Sequence, residues 1–191
     1  MRTGRSERKT RETHVKIELD IDGSGKSVIR TPIKFLSHML TSLSTHSLVD
    51  LKVESQGDLR HHIVEDTALV LGSALREALE TDGRVHRFGY AMVPMDCSLA
   101  SCAVDVGNRP YSVVDIETDG AVVEDMAAED IRHFFESLAV SLRANIHVRV
   151  EYGENDHHKA EAAFKALALC LRQALSVDSR RTGAPSSKGV L

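Results

Sequence analysis

A chain of 191 residues with 42% hydrophobic and 27% charged side chains has a globular balance, long enough for one sizeable core or two small fused ones. A net charge of -4 gives no electrostatic case for a nucleic-acid partner, and no apolar run is long enough to span a bilayer. Three scattered cysteines, Cys97, Cys102 and Cys170, lack metal or redox spacing, and no charged-then-apolar leader is evident, so the expected compartment is the reducing cytoplasm.

The first residues, Met1 to Arg11, are basic and polar and read as a solvated arm, or as one whose end folds over an anionic ligand. His14 to Asp20 alternates, with Val15, Ile17 and Leu19 on one face, as a half-buried strand does. Asp22-Gly23-Ser24-Gly25 is a turn, and Lys26 to Thr31 reads as the returning strand of a hairpin. A helix follows from Lys34 to Thr45 with Phe35, Met39 and Leu43 inward, then a strand from Leu48 to Glu54 and a long helix from His61 to about Glu80. Asp82-Gly83 breaks that helix. Strands are expected at Arg87–Met92, Ser98–Val106 and Tyr111–Thr118, then a helix over Met126–Arg143 and a strand over Asn145–Tyr152. Gly153 to Asp156 is a turn and N-cap region before a last helix, His157 to Leu175, and an aperiodic tail.

Two stretches match: His61-His62-Ile63-Val64-Glu65 and His157-His158-Lys159-Ala160-Glu161. Each opens a long helix and follows a shorter helix and a strand, which is an internal duplication. Each half reads strand, strand, helix, strand, helix, with an extra strand in the second. The expected fold is therefore α+β, two sheets each backed by two helices, divided at residues 1–83 and 84–191 and packed as pseudo-equivalent halves.

On a helix the first His of HHxxE and the Glu share a face, while the second His is turned by about 100°. Adjacent imidazoles so placed serve two ions more readily than one. A single copy is best read as surface histidines, since short motifs match by chance; two copies in a duplication reverse that. His38 and His133 occupy comparable places in the two shorter helices, completing a set that divides into two sites of three His and one Glu. Imidazole with carboxylate suits a first-row divalent metal, with positions left open for substrate. Arg87, Arg109, Lys165 and Lys188, with the hydroxyls of Ser186 and Ser187, form a candidate phosphate-binding group. From these residues alone a dinuclear phosphate-ester hydrolase and a non-catalytic metal-clipped shell protein also stand as readings, although a clip needs no anion site.

Beyond the HHxxE pairs, the chain carries Arg11-Glu12-Thr13, Phe35-Leu36-Ser37-His38-Met39-Leu40, Arg87-Phe88-Gly89, Pro94-Met95-Asp96, Asn108-Arg109-Pro110, His133-Phe134-Phe135, Phe164-Lys165-Ala166 and Ser186-Ser187-Lys188-Gly189-Val190-Leu191. With these ordered matches it resembles the imidazoleglycerol-phosphate dehydratases of histidine biosynthesis over nearly its whole length. The resemblance implies a duplicated ribosomal-protein-S5-domain-2-like fold and a homo-oligomer of 24 subunits with sites between them. It implies a small-molecule phosphate substrate and two Mn²⁺ ions per active site that stabilise an imidazolate during loss of water. It assigns the metal ligands to His38, His61, His62, Glu65, His133, His157, His158 and Glu161. Substrate contacts fall on Glu12, His46, Arg87, Arg109, Lys165, Ser186, Ser187 and Lys188, alongside the ring contacts His38, His61 and His157, with Glu12 as the catalytic acid/base. Two departures lose acidic groups: Leu59-Arg60 stands where the family has Asp-Asp, and Cys97 where it has Glu. They put the groups that orient ligating histidines in question.

Overall fold

A computed structural model of the chain describes residues 1–80 and 84–187. Among these the elements run β1 (Thr3–Lys9), β2 (Thr13–Asp20), β3 (Ser27–Arg30), α1 (Lys34–Ser47), β4 (Asp50–Gly57), α2 (Arg60–Glu80), β5 (Phe88–Met95), β6 (Ser98–Asp105), β7 (Tyr111–Asp115), β8 (Val122–Val123), β9 (Met126–Ala127), α3 (Ala128–Leu142), β10 (Asn145–Tyr152) and α4 (Asp156–Leu175). The expected helix break at Asp82-Gly83 lies outside the described residues. Two four-stranded sheets have matching orders, β1-β2-β4-β3 and β5-β6-β10-β7, with the short β8-β9 pair apart.

The basic N-terminal segment is a strand, not a solvated arm. β1 pairs antiparallel with β2 from Thr3 opposite Asp20 to Lys9 opposite His14. Its inward positions are Gly4 and Ser6, so no apolar alternation announces it. Arg2 ahead of it is buried, its guanidinium donating to the Asp22 carboxylate at 2.6 Å and to the Leu175 carbonyl at 2.7 Å.

The expected β2–β3 hairpin is also absent. β3 lies parallel to β4, Ser27 opposite Leu51, while β2 pairs antiparallel with β4. The intervening turn is held across β4 by the Asp50 carboxylate, which accepts from the Ser24 and Lys26 amides at 2.8 Å each. Both halves thus place three strands before their first helix, and the extra strand read in the second half disappears. What the second half adds is β8–β9. α1 and α3 end alike, in left-handed caps at Leu48 (φ 63°) and Arg143 (φ 56°), which is why β4 starts after Leu48.

Each sheet is covered by the helices of its own half, and the halves meet helix to helix, α1 on α4 and α2 on α3. One apolar core runs through both, from Val15 to Leu175. At its centre Phe164 of α4 packs against Phe134 and Phe135 of α3, with ring centroids 5.1 and 4.9 Å away. Such aromatic pairs contribute about 0.5–1.5 kcal/mol each beyond burial. A further tie crosses the halves at α1, whose N-cap residue Ile33 offers no side-chain acceptor. The Asp125 carboxylate in the β8–β9 turn supplies one, accepting from the Lys34 and Phe35 amides at 2.8 Å each. The Ser141 hydroxyl of α3 donates to the Leu69 carbonyl of α2 at 2.5 Å, and the two packed helix pairs, α1 on α4 and α2 on α3, carry the histidines.

Candidate metal centres

Two trios of metal-ligating side chains form, each across one helix pair. α1 gives His38 and α4 gives His157 and Glu161; α3 gives His133 and α2 gives His61 and Glu65. Within each trio the donor atoms lie within 4.8 Å of one another. Glu161 Oε2 is 3.4 Å from His157 Nε2 and 3.6 Å from His38 Nε2. Glu65 Oε1 is 3.6 Å from His133 Nε2, and the His61 and His133 rings stack with centroids 5.0 Å apart. The four-residue spacing puts His and Glu on one helical face, and the duplication supplies the third donor from the other half. Two imidazoles and a carboxylate fit a divalent first-row ion.

His62 and His158 stand outside these trios. His62 Nδ1 lies 2.9 Å from the Asp58 carboxylate and 3.9 Å from that of Glu12. His158 Nδ1 lies 3.5 Å from the Cys97 sulfur, and its Nε2 lies 3.5 Å from Asp96. The first histidines of the doublets are also tethered, His61 Nδ1 to buried Asp130 at 2.6 Å and His157 Nδ1 to Glu124 at 3.0 Å. Sequence reasoning missed Asp130, Glu124 and Asp58. Asp58, one turn before His62, carried a spacing signal; Glu124, in a left-handed turn (φ 54°) of a two-residue-strand hairpin, carried none.

Electrostatics follow these contacts. The Asp58 hydrogen bond raises the His62 pKa, and the Cys97 contact raises that of His158. The Cys97 thiol is in turn lowered to about 7, chiefly by the His158 hydrogen bond. Burial alone would raise Glu161, but the Lys165 ammonium beside it, with His38 and His157, holds it below the usual carboxylate range. His46, half-buried at the end of α1, is lowered by burial and by the Lys165 charge.

Of the expected substrate residues, Lys165 and His46 sit beside the His38 trio, Lys165 Nζ being 3.0 Å from Glu161 Oε1 and 3.1 Å from the Met95 sulfur. Glu12, 62% exposed, reaches only the His62 corner. Arg87 is engaged elsewhere: its guanidinium donates to Asp105 at 2.6 and 2.9 Å and to the Pro185 carbonyl at 3.0 Å. It thereby pins the tail segment carrying Ser186 and Ser187. Arg109 lies exposed in the loop after β6, its carbonyl accepting from the Asn145 amide. Lys188 lies outside the described residues. A concavity of about 520 Å³ opens on the outer face of the first sheet between Arg5, Glu18 and Lys52 and includes none of these histidines.

A family model for imidazoleglycerol-phosphate dehydratase matches residues 31–171. The chain belongs to the imidazoleglycerol-phosphate dehydratase family. It is 54% identical to the imidazoleglycerol-phosphate dehydratase of Methanothermobacter thermautotrophicus, across 100% of this chain and 98% of that protein. It is 48% identical to that of Chlorobium phaeovibrioides, across 96% and 92%. Among solved structures, the Pyrococcus furiosus enzyme in complex with (S)-C348 superposes with a TM-score of 0.85 at 39% identity, covering 97% of this chain and 99% of that one. The Staphylococcus aureus enzyme gives the same TM-score of 0.85 at 32% identity, covering 92% and 99%. Family membership makes the chain a dehydratase of histidine biosynthesis acting on a small phosphate-bearing substrate. Among the described residues no helix is long and apolar enough to cross a membrane.

Proposed function

We propose that the chain dehydrates imidazole glycerol phosphate to imidazole acetol phosphate with two Mn²⁺ ions per active site, completed between copies of the chain. The observation that carries this reading is the pair of trios, His38 with His157 and Glu161, and His61 with Glu65 and His133. Three donors leave an octahedral ion incomplete. His62 and His158 stand outside their own trios, beside Asp58 and beside Cys97 and Asp96, so a neighbouring copy can use them as further ligands. The count of 24 subunits rests on the family likeness, the sharing of ligands on this geometry. The biosynthetic role and three unpaired thiols support a cytoplasmic setting.

When bound, the ions supply Lewis acidity to the ring nitrogens of the substrate, which favours negative charge on the azole. The chain's own residues do the rest. Glu12, exposed and near His62, takes or returns a proton at its carboxylate. Lys165 and His46 place positive charge and a hydrogen-bonding ring beside the His38 trio. Arg87, by holding Pro185, steadies the tail whose Ser186 and Ser187, with Lys188 and the exposed Arg109, receive the phosphate. That remote clamp positions the reacting chain over the ions.

Chelated protein should lose turnover of imidazole glycerol phosphate and regain it with Mn²⁺. Full turnover after chelation ends the metal reading. Release of inorganic phosphate instead of the acetol product would favour a hydrolase.

A further inference from the structure

We propose that Cys97 is a positioning residue for His158: its sulfur accepts the Nδ1–H and so presents the Nε2 lone pair to a divalent cation. This rests on the metal reading above. Each of the four doublet imidazoles has one partner within hydrogen-bonding reach of Nδ1. Asp130 is 2.6 Å from His61, Asp58 is 2.9 Å from His62, Glu124 is 3.0 Å from His157, and Cys97 Sγ is 3.5 Å from His158. A carboxylate has no hydrogen to give near neutral pH, so the three acidic partners hold the hydrogen on Nδ1 and leave Nε2 free to ligate.

Cys97 occupies the fourth such place. It is the residue before β6, as Glu12 is the residue before β2, and Glu12 likewise approaches His62 Nδ1, at 3.9 Å. The His158 Nε2 faces the Asp96 carboxylate at 3.5 Å, about the separation found between Nε2 and carboxylate in the two trios, 3.4 to 3.6 Å. That is the spacing of two donors that one cation can touch. Were the thiol instead to donate to Nδ1, the ring hydrogen would sit on Nε2 and the ligand would be silent. Sulfur is a weaker hydrogen-bond acceptor than a carboxylate, and its contact is longer, 3.5 Å against 2.9 Å, so it holds the His158 ring less firmly than Asp58 holds that of His62. The chain therefore carries two unequal classes of cation site, the weaker one built with His158.

The test is titration of the metal-stripped, full-length protein with Mn²⁺, followed by calorimetry and by the spin-resonance signal of the free ion. The variants are Cys97→Ala, Cys97→Ser, Cys97→Glu and His158→Ala. Cys97→Ala should weaken the lower-affinity class roughly 10–100-fold and leave the other unchanged, as loss of an orienting partner does. Cys97→Glu should tighten that same class, and Cys97→Ser, close in size, should fall between. Co²⁺-loaded protein should lack a near-ultraviolet sulfur-to-metal charge-transfer band; such a band would make Cys97 a ligand and overturn the positioning role. Unchanged Mn²⁺ binding in every Cys97 variant, with His158→Ala still impaired, overturns the proposal and leaves the metal reading standing. Absence of Mn²⁺ binding by the natural protein, or indifference to His158→Ala, overturns both.

Discussion

Gly89 of β5 packs directly under α4, and replacing it by alanine tests how the histidine helices are seated. A Cβ at Gly89 falls 2.0 Å from the Cys170 carbonyl oxygen and 2.9 Å from its Cα. Gly4 of β1 has the matching place under α2, with a Cβ 1.9 Å from the Ala74 carbonyl oxygen. Cβ atoms keep at least 3.0 Å from such neighbours, so strand and helix must part by about 1 Å. The obstacle is backbone and cannot rotate aside. Overpacking costs about 1–3 kcal/mol, and the upper end applies because a whole helix, packed on both its sheet and a helix of the other half, has to move. Gly89→Ala and Gly4→Ala should each lose about 3 kcal/mol. The double variant should be close to additive, since different helices yield. Urea unfolding followed by circular dichroism, at matched protein concentration, measures this as a lower midpoint at constant slope. Because α4 carries His157 and Glu161 and α1 carries His38, a displaced α4 should also lower Mn²⁺ affinity in Gly89→Ala. A loss below about 0.5 kcal/mol in either variant, within the range of ordinary surface substitutions, would refute the reasoning.

Two further outcomes are expected. Glu12→Gln should cut turnover by at least about 10²-fold while Mn²⁺ content stays the same, as loss of an acid/base group does; turnover within twofold of the natural protein removes Glu12 from that role. Asp22→Asn should destabilise the fold by about 2 kcal/mol, because it strands the buried Arg2 guanidinium, though Asp22 itself is 37% exposed and partly screened. The Arg2 hydrogen bond holds the Asp22 pKa below its ordinary value. Its stabilisation is therefore complete above about pH 4 and is lost as pH falls through the lowered value. Natural protein should lose stability on acidification more steeply than Asp22→Asn, and parallel curves would contradict the assignment.

The four helices were legible in the sequence because their apolar spacing is regular over fourteen residues or more. The members of the trios were legible too, since HHxxE repeats and His38 and His133 sit in matching helices, but their division was not: three His and one Glu were expected per site, and each trio holds two His and one Glu, with His62 and His158 outside. β1 was not legible: its inward side chains are a glycine and a serine, and its charges face solvent. The pairing of β3 with β4 was hidden because alternation marks a strand but not its neighbour, and the deciding contact, Asp50 on the turn of residues 23–26, spans the sequence. Arg87 kept its place at a strand edge but spends its guanidinium on Asp105 and Pro185, a long-range partnership no local pattern reveals. Cys97 was visible only as a missing acid; the fold shows it against His158.

The most direct test is anomalous X-ray scattering at the manganese edge from crystals of Mn²⁺-loaded protein. Two peaks per chain are predicted, one among His38, His157 and Glu161 and the other among His61, Glu65 and His133. Peaks elsewhere, or none at full Mn²⁺ occupancy in solution, would contradict the account.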